Sequence, residues 1–546
     1  MQINSQNRKK LLYYLSLLVL LGLHFLILLL IHKRMPYLLD SDMASEMVLG
    51  KLLSQGNGIM SKNWFYSTEI RVLNTQLLYS FFFHFTDNWH YVRLLSDIVL
   101  HGIFSASTIF LCRKAGCGKY GFMTACCMIL AMSPAWFWFM LMGCYYIPHV
   151  AISFLTLSFL YMYIDTDSKK KRWILIAISF VVSFIAGLGG IRQLVITYLP
   201  LFLTVVLLCG ISVFKEGYTK SAASKKFLLL PVSVISLLAG GMGFVINNSV
   251  LSKIYHFKTW DTLRFALPDF DQLRSIISDI LITLGYTTGE VSFKSLICNC
   301  ACAVITILGI WSIWVGLQKG ASKYLRIMTV FFLCNLAVFV ALYTVTDMAY
   351  TVRYNFPVIV FIFPLIALAI HEADLGMLPR ISRQLIAFML IGSVLVRGGY
   401  MYRDLMQINR SGELSVELSQ IADFLKESDY KNGYASFWNA NVMTELTNGK
   451  VTMYSWTATT EDGTSFNSVS DIDALFEWLQ ACDHLETPPQ GKVFALYRKN
   501  EAKNCNWKQG LLHSDVIFET ANYTVYGYQS YKEMRALLAD YSQISE

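Results

Sequence analysis

Eleven apolar stretches, each near the length needed to cross about 30 Å of hydrocarbon, recur through the first 400 residues, and no other feature constrains the fold as much. They lie near 11–32, 92–112, 120–140, 145–164, 173–190, 193–214, 227–250, 296–317, 325–346, 354–371 and 383–397. With 55% of the 546 residues hydrophobic and only 15% charged, the chain carries more apolar surface than a water-soluble core can use, so its solvent is a bilayer. The chain is therefore read as a polytopic α-helical membrane protein with about eleven transmembrane helices. The first stretch follows Arg8, Lys9 and Lys10 and mimics a signal peptide. It is too long for one and lacks a small-x-small cleavage site, so it is expected to stay as the first span.

Charge orients these spans. With Arg8-Lys9-Lys10 on the cytoplasmic side, every second loop should be basic. The loops carrying Arg113/Lys114/Lys119, Lys169-Lys170-Lys171-Arg172, Lys215/Lys220/Lys225/Lys226, Lys319/Lys323/Arg326 and Arg380/Arg383 all comply. An odd number of spans then puts the C-terminal part outside, together with the loops 33–91 and 251–295. From Gly398 onward there are 12 Lys/Arg against 20 Asp/Glu, although the whole chain is +8. The positive excess thus sits in short loops between spans, which is the pattern of membrane orientation and not of nucleic-acid binding.

Two units follow from this: residues 1–397 as a transmembrane unit and 398–546 as an extracytoplasmic soluble α/β domain. In the soluble unit helical patterns fall at 413–426, 472–481 and 532–541. Strand patterns fall at 434–438, 451–456, 493–498 and 516–528, with a helix beginning after Asn439 and a Thr447-Asn448-Gly449 turn. No strand is followed by GxGxxG and no P-loop occurs, so nothing points to a nucleotide. Most cysteines lie in or beside apolar spans and read as small buried hydrophobes. For Cys482 and Cys505, the only two in the soluble unit, a disulfide and two free thiols are equally open readings. The scattered histidines show no metal spacing. No cofactor is expected, while a divalent ion is neither required nor excluded.

The most informative segment is Leu38-Leu39-Asp40-Ser41-Asp42-Met43-Ala44-Ser45-Glu46, just past the first span. It leads into an amphipathic helix expected over 43–53 and lying in the interface, as is a short apolar piece at 77–85. On a helix beginning near Asp42, Glu46 falls one turn later on the same face, so both carboxylates can address one polar pocket. The competing reading is helix capping. At other outer ends, Arg192-Gln193 follows Gly187-Leu188-Gly189-Gly190, and Asp347, Arg353 and Tyr354 share a short loop. Charges at such depth are costly and usually functional, although an arginine there can simply snorkel to headgroups. The loop 251–295 offers a further helix through Leu273, Ile276, Ile277, Ile280 and Leu281, placed to border a lateral entrance for lipid. Tyr145, Tyr146 and His149 read as belt and packing residues. Outward carboxylates with outward arginines suit glycosyl transfer from a lipid phosphate, the carboxylate taking the acceptor's proton and the guanidinium groups neutralising the leaving phosphate.

Asp40-Ser41-Asp42 after the first span, the helix running to Gly56, Arg353-Tyr354-Asn355-Phe356-Pro357 before a span, and the extracytoplasmic α/β unit together carry a resemblance. The chain resembles the GT-C superfamily of polyprenyl-phosphate-sugar glycosyltransferases, near the protein mannosyltransferase and aminoarabinose transferase group. It is also similar to uncharacterised bacterial GT-C-like membrane proteins through Asn63-Trp64-Phe65-Tyr66-Ser67-Thr68-Glu69-Ile70-Arg71-Val72-Leu73-Asn74. The resemblance implies that an acidic residue of the first outer loop is the base and that basic residues of later outer loops hold the lipid phosphate. That assigns the base to Asp42, with Asp40 as neighbour or substitute. The family's adjacent acidic pair is here split by Ser41, which leaves the choice between them open.

The expected substrate-binding residues are Glu46, Trp64, Tyr66, Arg71, Asn74, Arg192, Gln193, Arg353 and Tyr354. The function expected is transfer of a sugar from a polyprenyl-phosphate donor to a glycan, lipid or protein acceptor at the outer face of a bacterial plasma membrane, with membrane lipid as the surrounding partner. Two rivals are a transporter or flippase of envelope lipids, which no internal repeat or interrupted helix pair favours, and a non-catalytic assembly protein whose soluble unit binds glycan.

Overall fold

Backbone N–H and C=O groups in hydrocarbon must be satisfied within their own segment, so each apolar stretch has to close into helix. The computed structural model describes residues 5–68, 70–216, 227–257, 264–289, 291–373, 380–408, 414–456, 472–504 and 508–540. Glu69, Lys220, Lys225, Lys226 and Cys505 lie outside them. All eleven stretches are helical, and the chain is a multi-pass membrane protein. Among the described residues nine helices are long and apolar enough to cross a bilayer, and a tenth candidate is bent by 105° between Gly118–Ile129 and Pro134–Met142. The bend is local chemistry: Pro134 brings no N–H, and Ser133 Oγ instead accepts from Trp136 N at 3.2 Å to start a new turn.

The remaining stretch, near 173–190, is helix Lys169–Gly187, which falls short of the expected span because its first four residues are Lys-Lys-Lys-Arg. It is held by backbone proximity. A methyl group on Gly187 would collide with the Gly240 carbonyl, and one on Gly243 with the Phe184 carbonyl, the small-residue contact by which membrane helices approach without a hydrophobic driving force. The last membrane helix, Arg380–Met406, runs unbroken through Gly398-Gly399, so the glycine pair taken as the boundary lies inside it.

Beyond it, strands β3 (Asn432–Ser436), β4 (Thr452–Trp456), β5 (Val493–Arg498), β6 (Asp515–Glu519) and β7 (Tyr523–Tyr528) form one sheet in the order β4-β3-β5-β7-β6. The first three are parallel, and β7 and β6 close the edge antiparallel. Alternation fills two faces. Ala435, Phe494 and Leu496 meet helices Leu414–Glu427 and Phe437–Leu446 on one side. Tyr434, Val493 and Tyr497 meet Leu511, Met534 and Leu538 on the other. The strand and helix patterns of this unit hold within a few residues, with two exceptions. The pattern at 516–528 is a hairpin, β6 and β7. Residues 472–481 are not helical: Leu475 bridges to Trp456, and Leu479 takes φ +50.

The loop 33–91 joins the two units. Helix Ser41–Gly56, expected as an amphipathic helix over 43–53, is largely buried within the protein. Met43 packs in the membrane core, Ala44 in the core of the C-terminal sheet, and Leu49 and Leu53 in a third cluster with Trp64. Arg93, wholly buried at the start of helix Trp89–Lys114, donates from Nε and Nη2 to the two Glu445 carboxylate oxygens at 2.8 Å each. Its remaining donors reach Met43 O at 3.0 Å and Tyr79 Oη at 3.1 Å. The expected turn docks beside this pair, with Asn448 Oδ1 accepting from Trp89 N at 2.7 Å.

Candidate active site

The site begins with how helix Ser41–Gly56 starts. Asp40 is its N-cap, accepting from Met43 N at 2.7 Å, so the capping role weighed for Asp42 belongs to its neighbour. Asp42 lies in the first turn, Ser45 Oγ donates to the Asp42 carbonyl at 2.8 Å, and Glu46 follows one turn on. Asp42 and Glu46 open onto one cavity of ≈160 Å³, as their spacing requires.

Three arginines from three separate segments enter the same cavity. Arg353 Nη1 pairs with Asp42 Oδ2 at 2.7 Å. Arg71 Nη1 stands 3.6 Å from Glu46 Oε1, whose other oxygen accepts from Thr75 Oγ1 at 3.2 Å. Arg192 lies 5.3 Å from the Tyr146 ring and 5.5 Å from the Tyr354 ring, and Arg353 is 5.7 Å from that same Tyr354 ring, contacts that hold guanidinium planes in place. Tyr354 is fixed in turn by stacking on Tyr343, 5.7 Å away with planes 7° apart. Burial pushes the Glu46 carboxyl up against the opposing pull of Arg71. Burial, and then the charge of Asp42, raises Asp40 to about 6.

Of the residues expected from sequence, Asp42, Glu46, Arg71, Arg192, Arg353 and Tyr354 line the cavity. Asp40 sits behind it as the cap, within 3.5 Å of Tyr145 Oη. The others are elsewhere. Trp64 is fully buried and Tyr66 nearly so in an apolar cluster, where Tyr66 Oη accepts from Ser61 N. Asn74 is buried off the cavity. Gln193 is spent on His149, Ser153 and Thr197. Tyr145 and Tyr146, read from sequence as belt and packing residues, wall the cavity, and Ser45, Ser67, Thr68, Trp478 and Leu479, none of them singled out as a site residue, complete it. The tyrosines' position at the outer end of a span was the available signal. For Trp478 there was none, because its neighbours read as a helix. Among the described residues no group of three or more His, Cys, Asp or Glu is placed to hold a metal ion.

The arrangement, a pair of carboxylates beside a trio of guanidinium groups, can take a proton and neutralise an anion in one small volume. The fold is shared with ArnT from Cupriavidus metallidurans, solved bound to undecaprenyl phosphate, at TM-score 0.50 and 12% identity over 94% of this chain and 97% of that one. A weaker likeness, TM-score 0.47 and 10% identity over 88% of this chain and 69% of the other, is to the oligosaccharyltransferase of Archaeoglobus fulgidus tethered with an acceptor peptide. No protein-family model and no curated sequence matches the chain. The chain has the GT-C fold, as the resemblance implied.

Proposed function

We propose that this protein is an inverting glycosyltransferase that moves a sugar from a polyprenyl-phosphate donor to a hydroxyl of a cell-envelope acceptor, on the outer face of a bacterial plasma membrane. The single observation that carries the proposal is the convergence of Asp42 and Glu46 with Arg71, Arg192 and Arg353 on one cavity. The outer orientation rests on the alternation of basic loops. The donor class is that of the lipid in the ArnT structure, transferred to this chain by fold.

The residues divide the reaction as follows. Arg192 and Arg353 hold the donor phosphate by charge-assisted bonds, and binding it draws Arg353 away from Asp42, which frees that carboxylate. Asp42 then accepts the proton of the acceptor hydroxyl as its oxygen bonds to the anomeric carbon. The bond from that carbon to the phosphate oxygen breaks, its electron pair stays on the phosphate, and a polyprenyl phosphate leaves with its charge spread over the guanidinium groups. Asp40, kept from ionising easily, and Glu46, paired with Arg71, set the field around Asp42.

The experiment is transfer from a radiolabelled polyprenyl-phosphate sugar by purified full-length protein, beside a flipping assay of the same lipid in vesicles. Label leaving the lipid without flipping is the expected result. Flipping with the sugar-phosphate bond intact would replace the enzyme with a transporter.

A further inference from the structure

Most of the cavity wall comes from helix Ser41–Gly56, its following loop and the outer ends of spans, but one part does not. Trp478 and Leu479 belong to the C-terminal unit. The segment that carries them is tied down on both sides of the indole. Before it, Phe476 N donates to Ser455 O on β4 at 2.8 Å. After it, Leu479 N donates to Phe65 O at 2.8 Å and Phe65 N to Gln480 O at 2.9 Å, a two-bond ladder to strand β1 (Phe65–Tyr66). Asn441 Nδ2 adds a bond to the Leu479 carbonyl at 3.1 Å. Leu479 takes φ +50, a left-handed conformation that side-chain-bearing residues avoid unless surrounding bonds over-determine it. The outcome is a half-buried indole, stacked on the Phe476 ring with centroids 6.2 Å and planes 26° apart, in the wall of a cavity otherwise lined mainly by tyrosines and by charged and hydroxyl side chains.

The same cavity is lined by Ser45, Ser67 and Thr68, which carry hydroxyls, and by the Glu46–Arg71 pair. A pyranose ring offers an apolar C–H face, which packs on an aromatic plane, and an equatorial rim of hydroxyls. Neighbouring hydroxyls on that rim match a carboxylate that accepts and a guanidinium that donates in a fork. A serine side chain or a lipid headgroup has the hydroxyl without the ring face, so it gains nothing from an aromatic plane in the wall.

Deepening the proposed glycosyl transfer, on which it rests, we infer that the acceptor is a saccharide and that Trp478 is the platform on which the acceptor's ring stacks. The C-terminal unit is then part of the substrate site, and it determines which hydroxyl reaches Asp42.

The test uses full-length protein in nanodiscs and saturation-transfer NMR with methyl glycosides of glucose, galactose, mannose, rhamnose and N-acetylglucosamine, beside N-acetyl-serine amide and glycerol phosphate. At least one glycoside should receive saturation at its ring C–H protons. Trp478→Leu, which keeps an apolar side chain and loses the ring face, should weaken that binding about tenfold. Trp478→Phe should restore most of it. The glycoside that binds is then offered as acceptor with a radiolabelled donor and should become labelled. Silence from every glycoside, equal binding by Trp478→Leu, saturation of the serine amide or glycerol phosphate instead, or donor consumption without labelling of the bound glycoside would each overturn the inference. Glycoside binding lost in Trp478→Leu, in a protein that consumes no donor with any acceptor, would instead keep a saccharide site and remove the transferase.

Discussion

Two of the arginine–carboxylate pairs beside helix Ser41–Gly56, Arg93–Glu445 and Arg353–Asp42, are built in opposite ways. At the joint between the units, Arg93 and Glu445 have side chains 0% and 2% exposed, and all three guanidinium nitrogens are hydrogen-bonded to protein. In the cavity, Arg353 and Asp42 are 33% and 24% exposed and share one contact. A buried pair is tolerable only when its geometry and remaining hydrogen bonds are complete. A pair meant to exchange partners with a ligand has to be left incomplete. The difference separates a charge that holds the structure from a charge that is available to a substrate.

Substitutions can break this contrast. The largest effect is expected at Asp42: Asp42→Asn keeps shape and hydrogen bonding but loses the basicity, and should lower turnover roughly 10²–10⁴-fold. The variant should stay folded, because Asp40 carries the cap. Near-normal turnover in a folded Asp42→Asn would remove Asp42 as the base. Next comes Arg93→Ala, which leaves Glu445 buried and uncompensated. About 3–5 kcal/mol of stability should be lost, read from thermal unfolding in detergent, and an exchange of both partners for apolar residues of similar volume should recover most of it. If Arg93→Ala unfolded like the parent, the joint would not depend on this pair.

Arg353→Ala should cost less, roughly 1.5–3 kcal/mol of donor affinity from the lost charge-assisted bond, with little change in stability. Unchanged donor binding would move the phosphate site elsewhere. The smallest effect concerns Asp40, whose carboxyl is raised by burial to about 6 from an ordinary 3.8. Between those values the folded state binds more protons than the unfolded one, so stability should fall as pH rises through the window. Asp40→Asn should flatten that slope in unfolding measured from pH 4 to 6. An unaltered slope would show that Asp40 does not titrate there.

How much of this could be read in advance depends on whether a residue's neighbours are local. The spans, the acidic motif, and Asp42 and Glu46 on one face follow from period and helix geometry. Arg192 and Arg353 followed from charge at a span end. Arg93, also a charge at a span end, was passed over, because only a fold that brings Glu445 across the joint gives it meaning. Trp64 and Tyr66 had the composition of a sugar site, but composition carries no direction, and β1 turns them into an apolar cluster. The indole in the cavity wall comes instead from Trp478, whose segment mimics a helix and is held by bonds to β1 and β4 that no local pattern announces.

The glycine contacts of helix Lys169–Gly187 bear on the bilayer as much as on the protein. Its basic start leaves residues 173–187 for hydrocarbon, about 22 Å at ~1.5 Å per residue, against a core of about 30 Å. Packed backbone to backbone, this helix cannot be traded for a longer one without losing the fit. The mismatch must be met by lipids that thin beside it and by lysines that stretch toward their headgroups. A thinned annulus next to the helix whose far end leads to Arg192 brings a polar headgroup surface closer to the cavity, so membrane thickness becomes a variable of the site.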